Sequence, residues 1–165
     1  MSQSYALKAI NIDLIVYDFD GVMTDNKAYV FQDGKEAVIV NRADGLGIDM
    51  IKKIGIPQLI LSTETNPVVV ARAAKLDLPV IKGVKDKELS LTKYCREHNV
   101  DLKKVLYVGN DINDKGALEI VGLPVVPSDA HEDVSKIAKI VLESKGGEGV
   151  VRELAGLLVS HKKNE

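Results

Sequence analysis

The chain of 165 residues has one cysteine, Cys95, no tryptophan, and only two phenylalanines and five tyrosines. A lone cysteine excludes a disulfide framework within the chain and fits a cytoplasmic setting. With aromatics scarce, the core has to be built from Val, Ile, Leu and Ala. No apolar run approaches the roughly 18–20 residues that a membrane helix needs. The first ten residues, Met1–Ile10, include Lys8 but lack the apolar stretch of a signal peptide. An excess of one charge is also missing: 22 Lys and Arg face 24 Asp and Glu, a net charge of −2. That balance argues against a dedicated nucleic-acid binder. What is present, 45% apolar and 28% charged residues, is enough to bury a core and excludes wholesale disorder. The length fits one domain, residues 1–165, and is short for two well-cored ones.

The apolar pattern predicts strands alternating with helices. Leu14–Tyr17, Gln58–Leu61 and Val105–Val108 are short runs rich in branched residues, each followed by polar residues, as expected of strands buried on both faces. Short strands are expected at Pro79–Ile81 and Pro124–Val126. Helices are expected at Asp49–Ile54, Val68–Leu76, Lys87–His98, Asp114–Val121, Val134–Ile140 and Val150 to about Val159, with a frayed tail from Lys162. Ala28–Phe31 and Ala37–Val40 flank Asp33-Gly34 and read as a β-hairpin. This alternation is the signature of an α/β fold, a parallel sheet with helices on both faces, plus a protruding hairpin. In such sheets ligands sit at the carboxyl ends of the strands.

Four polar clusters follow strands in this pattern. Asp18-Phe19-Asp20-Gly21-Val22-Met23-Thr24-Asp25 places two carboxylates two residues apart, on one side of an extended chain. Such a pair repels itself unless a cation intervenes, and Mg²⁺ held there could seat a phosphate against Asp18. An arbitrary Asp-x-Asp is more often a turn cap; the preceding strand and the whole run reverse that preference. Ser62 ends the second strand, where its hydroxyl can donate to a phosphoryl oxygen or cap a helix. Lys87 opens a helix, where an ammonium suits a phosphate or simply sits in solvent. The loop Gly109-Asn110-Asp111-Ile112-Asn113-Asp114 offers amide and carboxylate oxygens for a hard cation, or an N-capping turn. Taken singly, three of the four have ordinary explanations. Four polar groups after four strands of one sheet are hard to ascribe to chance. Gly45-Leu46-Gly47 is too short for a dinucleotide fingerprint, and Gly146–Gly149 lacks the Lys-Ser/Thr of a P-loop. His98, His131 and His161 have no ligand spacing and read as surface residues, and Cys95 as a mid-helix core thiol.

In this order, Asp18-x-Asp20-Gly21, Ser62, Lys87 and Asn110-Asp111…Asp114, the chain resembles the haloacid dehalogenase-like phosphohydrolases over nearly its whole length. It is most similar to their capless subgroup that cleaves phosphates of 3-deoxy-2-keto sugar acids. Asp-Phe-Asp-Gly-Val-Met-Thr-Asp, the hairpin, Asp44–Ile48 and residues 146–153 carry that likeness. The resemblance implies a Rossmann-like domain with Asp18 as nucleophile and Asp20 as general acid and base. It also implies Ser62 and Lys87 on the phosphoryl oxygens, and Mg²⁺ held by Asp18 and the Asp20 carbonyl with the Asn110 position. Asp111 and Asp114 would assist directly or through water. The family usually has Asp where Asn110 stands; the site loses a negative charge, which implies weaker metal binding and keeps a catalytically silent scaffold as an alternative. Ser62-Thr63-Glu64, with Arg72 and Lys75, is similar to the branch acting on nine-carbon nonulosonate 9-phosphates. The eight-carbon octulosonate 8-phosphate is the alternative. Glu64 would meet sugar hydroxyls, and Arg72 and Lys75 the carboxylate.

Only 43 residues separate Asp18 from Ser62, and 22 separate Lys87 from Asn110. Neither gap can house a cap domain. The hairpin is apolar on both faces, with Tyr29 and Phe31 opposite Val30, and an isolated ribbon of that kind is unstable. Pairing of hairpins from several copies would bury it. The resemblance implies a homotetramer, with the Arg152 region reaching a neighbour's pocket.

Overall fold

The structure, a computed structural model, describes residues 11–162. Expectations for Met1–Ile10, for the side chains of His161 and Lys162 and for residues 163–165 lie outside that range. The chain opens with β1 (Leu14–Tyr17), buried at every position. A hairpin follows, β2 (Thr24–Val30) and β3 (Glu36–Val40), antiparallel with a shift of register between Thr24 and Ala28. Then come α1 (Arg42–Lys53), β4 (Gln58–Leu61), α2 (Pro67–Leu76), β5 (Val80–Ile81) and α3 (Lys87–Glu97). The remainder is β6 (Val105–Val108), α4 (Lys115–Ile120), β7 (Leu123–Val126), α5 (Glu132–Ser135), β8 (Ile140–Val141) and α6 (Val150–Lys162). Six strands form one parallel sheet in the order β5-β4-β1-β6-β7-β8. The α/β architecture with a separate hairpin is therefore as the sequence predicted.

The period-two alternation of a strand sorts the core. Ile15 and Tyr17 pack on one face with Ile48 and Ile51 of α1, Val69 of α2 and Leu154 of α6. Leu14 and Val16 face the other side, with Leu91 and Cys95 of α3, Ala117 of α4 and Val134 of α5. Each such Leu, Ile or Val, fully buried, contributes about 1.5–3 kcal/mol relative to exposure. Strands covered on both faces cannot show hydrophobic-in, polar-out alternation, which is why they read as unbroken apolar runs. Two polar side chains inside this layer are satisfied by each other and by the backbone. The Tyr17 hydroxyl donates to Gln58 Oε1 at 2.8 Å, and Gln58 Nε2 donates to the Ile48 carbonyl at 3.1 Å.

Several boundaries differ from the sequence reading, α6 for one running on to Lys162. Helix α1 begins at Arg42, not Asp49, because Asn41 caps it by accepting the Ala43 N–H at 2.9 Å. Gly45 and Gly47 both lie inside this helix. Gly47 is there for contact: a Cβ would stand 2.7 Å from the Val151 carbonyl oxygen of α6. The expected helix Val134–Ile140 is instead the single turn α5 followed by a sixth strand, β8, which pairs Ile140 with Val125. A 3₁₀ turn, Ile112–Asp114, precedes the shorter α4. Strand β2 starts at Thr24 rather than Ala28.

A side chain at position 47 has to push two helices apart. We expect Gly47→Val to lose about 1–3 kcal/mol in urea unfolding. Gly156→Ala, whose Cβ would meet only Arg152 Nη1 at an ordinary 3.6 Å, should hold or gain up to about 1 kcal/mol through helix propensity.

Candidate active site

All six parallel strands end at one edge, so the segments after β1, β4 and β6 converge there. Asp18, directly after β1, is buried at 4% exposure. Its Oδ1 lies 2.7 Å from Lys87 Nζ, and the same ammonium lies 2.6 Å from Asp114 Oδ1. Lys87 is reached from the first turn of α3, which Asp86 caps by accepting the Leu89 N–H. Burial alone would lower the Lys87 pKa; the Asp18 and Asp114 charges outweigh it and hold the ammonium above the ordinary lysine value. Burial, then the charge of Asp114, pushes the Asp18 carboxyl up against the pull of Lys87.

Asp114 has no capacity left for a metal. Beyond Lys87, its Oδ1 accepts the Tyr107 hydroxyl at 2.7 Å. Its Oδ2 accepts the N–H groups of Asn110 at 2.9 Å and Asp111 at 3.2 Å. It anchors the lysine and folds the loop after β6, and the expectation that it helps hold a cation is corrected accordingly. Asp111 lines the cleft, with Oδ1 accepting the Ile112 N–H at 2.7 Å.

The Asn110 amide faces Asp18 Oδ2 at 3.1 Å and the Asp20 carbonyl oxygen at 3.0 Å. With its nitrogen turned towards them, it donates to both. With its oxygen turned there, the amide oxygen stands 3.1 and 3.0 Å from those two oxygens, close to the roughly 2.9 Å between neighbouring ligands of an octahedral cation with 2.0–2.1 Å bonds. Among the described residues no three carboxylate, imidazole or thiolate side chains cluster as a metal site. The donor set that fits is mixed: one carboxylate, one backbone carbonyl and one amide, all hard oxygens suited to Mg²⁺. Gly21 keeps this corner open; it has φ +81°, and a Cβ there would run into the Asn110 amide.

Asp20 is half-buried. Thr24 Oγ1 donates to its Oδ1 at 3.3 Å and accepts the Gly21 and Asn26 N–H groups. Burial and the neighbouring Glu64 carboxylate raise the Asp20 pKa above the usual range. The loop is backed by the glycine-rich segment before α6. Gly147 donates to the Val22 carbonyl at 3.1 Å; a Cβ on it would stand 2.6 Å from Asp25 N, and one on Gly146 would strike the Gly21 carbonyl oxygen.

After β4, Ser62 Oγ accepts the Glu64 N–H at 3.1 Å, leaving its hydroxyl proton free to donate. Ser62 is itself buried; Thr63 and Glu64 form that wall of a cleft of about 570 Å³, lined also by Asp18, Asp20, Asn110 and Asp111. The hairpin base supplies Asn26, Lys27, Ala28, Glu36 and Val38 as the facing wall. Sequence reasoning missed this wall, although the short spacing from Asp20 to Lys27 could have suggested it.

Three expected substrate contacts do not join the cleft. Arg72 Nη2 donates to the Asn41 carbonyl at 2.8 Å and braces the junction of hairpin and α1. Lys75 is exposed on α2, and Arg152 is exposed on α6. The Arg152 N–H, with that of Val151, donates to Asp44 Oδ1 at 3.2 and 3.1 Å, so a carboxylate on α1 caps α6. Asp44 Oδ2 and Arg72 Nε, both buried, have no hydrogen-bond partner.

The chain is similar to known proteins. The model of the haloacid dehalogenase-like hydrolases matches residues 58–154. The 3-deoxy-D-manno-octulosonate 8-phosphate phosphatase of Escherichia coli K12 is 32% identical over 160 residues, 96% of this chain and 85% of that one. The chain belongs to the haloacid dehalogenase-like hydrolases. With its phosphatase relatives, that makes it a phosphoric monoester hydrolase. N-acylneuraminate cytidylyltransferase A of Danio rerio is 33% identical over 156 residues, 92% of this chain; the match spans only 36% of that longer protein. Among solved structures, the octulosonate 8-phosphate phosphatase of Moraxella catarrhalis, in complex with magnesium, phosphate and the sugar acid, superposes with a TM-score of 0.93 at 25% identity. That match covers 99% of this chain and 95% of the other. No described helix is long and apolar enough to cross a membrane.

Burial, opposed by the Arg152 and Val151 N–H groups and by Arg72, raises the Asp44 pKa from 3.8 to about 6. The folded state therefore binds this proton more tightly than the unfolded one, and the stability it confers is lost as pH rises from 4 through 6. In urea titrations across that range we expect Asp44→Asn to gain on the wild type with rising pH, by up to about 3 kcal/mol.

Proposed function

We propose that this chain hydrolyses the phosphate monoester of a 3-deoxy-2-keto sugar acid with Mg²⁺ as cofactor. One observation carries the reading. The Asp18 carboxylate has one oxygen held by buried Lys87 and the other beside the Asn110 amide, which also faces the Asp20 carbonyl. Asp18, the Asp20 carbonyl and Asn110 would hold the Mg²⁺. Bound there, it would neutralise phosphate charge and offset the burial that otherwise favours protonated Asp18.

Asp18 attacks phosphorus and forms an aspartyl-phosphate as the ester oxygen departs. Asp20, whose pKa burial and Glu64 raise, gives a proton to that oxygen; the resulting carboxylate then activates the water that cleaves the intermediate. Lys87 and the Ser62 hydroxyl stabilise charge on the phosphoryl oxygens. Asn110 supplies an oxygen without a charge, which accounts for an expectation of modest metal affinity. Asp111, at the cleft edge, is the residue to assist through water.

The substrate class follows the octulosonate phosphatases to which the chain is similar. Within it, we assign the nine-carbon nonulosonate 9-phosphate, on Glu64. Its carboxylate lines the cleft, where it can accept from the extra hydroxyl or a substituent N–H. The zebrafish relative, named for a nine-carbon acid, is consistent with this. Arg72 and Lys75 do not line the cleft within one protomer.

We also read the chain as one capless domain that assembles as a homotetramer, as the family resemblance implies. Tyr29, Val30, Phe31 and Ile39 are 55–70% exposed on the hairpin, an apolar surface that copies of the chain can share.

Phosphate release should require Mg²⁺, vanish in Asp18→Asn, and be faster on the nine-carbon than on the eight-carbon ester. Equal or better turnover of the eight-carbon ester sinks the reading of Glu64. Absence of release from either ester leaves the scaffold alternative standing. In light scattering at micromolar concentration the wild type should be a tetramer, and Tyr29→Ser with Phe31→Ser should give smaller species; a wild-type monomer contradicts the assembly.

A further inference from the structure

The cleft is acidic where its proposed substrate is anionic. Its described lining includes the carboxylates of Asp18, Asp20, Glu36, Glu64 and Asp111, and one basic residue, Lys27. The other ammonium nearby, Lys87, has a side chain only 1% exposed and is already shared between Asp18 and Asp114. With bound Mg²⁺ it can answer the phosphate. A sugar acid carries a second anion, its carboxylate, which Glu36 and Glu64 repel.

Lys27 is placed to meet it. The hairpin leaves regular register between Thr24 and Ala28, and Asn26 turns with φ 63°. The bend is fixed by Thr24 Oγ1 accepting the Asn26 N–H at 3.1 Å and by Asp25 Oδ1 accepting the Lys27 N–H at 3.2 Å. Glu36 Oε2 accepts from Asn66 Nδ2 at 3.0 Å, mooring the opposite strand to the loop after β4. The Lys27 side chain is 83% exposed, and its approach to Asp25 Oδ2, 3.8 Å, is loose. An ammonium so weakly engaged can turn to a ligand without breaking a buried contact.

We propose that Lys27 recognises the substrate's carboxylate, and so selects sugar acids over neutral sugar phosphates. This deepens the phosphatase reading and rests on it. Lys27 is a binding residue and takes no part in the phosphoryl transfer.

The test compares wild type, Lys27→Gln, Lys27→Arg and the hairpin-tip control Lys35→Gln on the keto-acid phosphate and on a hexose phosphate, which has no carboxylate. Lys27→Gln should raise KM for the acid about tenfold more than for the neutral ester, the size expected for one charge-assisted contact. Lys27→Arg should restore most of the discrimination, and Lys35→Gln should leave it intact. Calorimetric titration with the dephosphorylated keto acid reads the same contact without turnover, and Lys27→Gln should weaken it by a similar factor. Equal KM changes on both esters, or unchanged affinity for the keto acid, overturn the assignment of Lys27. If the wild type releases phosphate from neither ester, the phosphatase reading fails by itself; loss of keto-acid binding in Lys27→Gln would still uphold the contact.

Discussion

An ammonium with 1% of its side chain exposed is tolerable only if anions replace the water it gave up, and Lys87 has two, Asp18 and Asp114. The two roles differ because their surroundings differ. Asp114 spends both oxygens on fixed protein donors, Tyr107, Lys87 and two backbone amides. Asp18 keeps one oxygen turned to the Asn110 amide, which faces the Asp20 carbonyl as well. One carboxylate is thereby structural and the other is left available. The loop after β6, the start of α3 and the end of β1 are tied at one point, and loss of any member leaves a buried charge without its partner.

How far the sequence revealed this follows from what each residue does. Strands such as Leu14–Tyr17 and Val105–Val108 were legible because burial on both faces writes an unbroken branched run. The site was legible because a parallel sheet brings every strand's carboxyl end to one edge. Side-chain direction was not legible. Asp114 looks like a metal ligand in sequence, and only its four donors reveal otherwise. Arg72 and Lys75 are near Glu64 along the chain, yet α2 carries one to the Asn41 carbonyl and leaves the other in solvent. Gly45 and Gly47 hid the start of α1, because the reason for Gly47 lies in α6, a hundred residues away. Strand β8 is two residues long, too short for any period to announce it.

The hairpin does two kinds of work from one short insertion. Its base walls the cleft with Asn26, Lys27, Glu36 and Val38, while its outer part presents Tyr29, Val30, Phe31 and Ile39 to solvent. A register shift between Thr24 and Ala28 lies at its root. A cleft with five carboxylates in its wall is hostile to anions unless cations offset them. Specificity in such a place is set by where the few positive charges stand.

Gly146 and Gly147 press on the chain just beyond Asp20 from behind, so closely that neither position tolerates a side chain. Ribosomal synthesis delivers Asp18 and its turn long before those two glycines exist. A nascent chain therefore carries the reactive loop without its buttress, and the loop ripens only once the glycine segment docks.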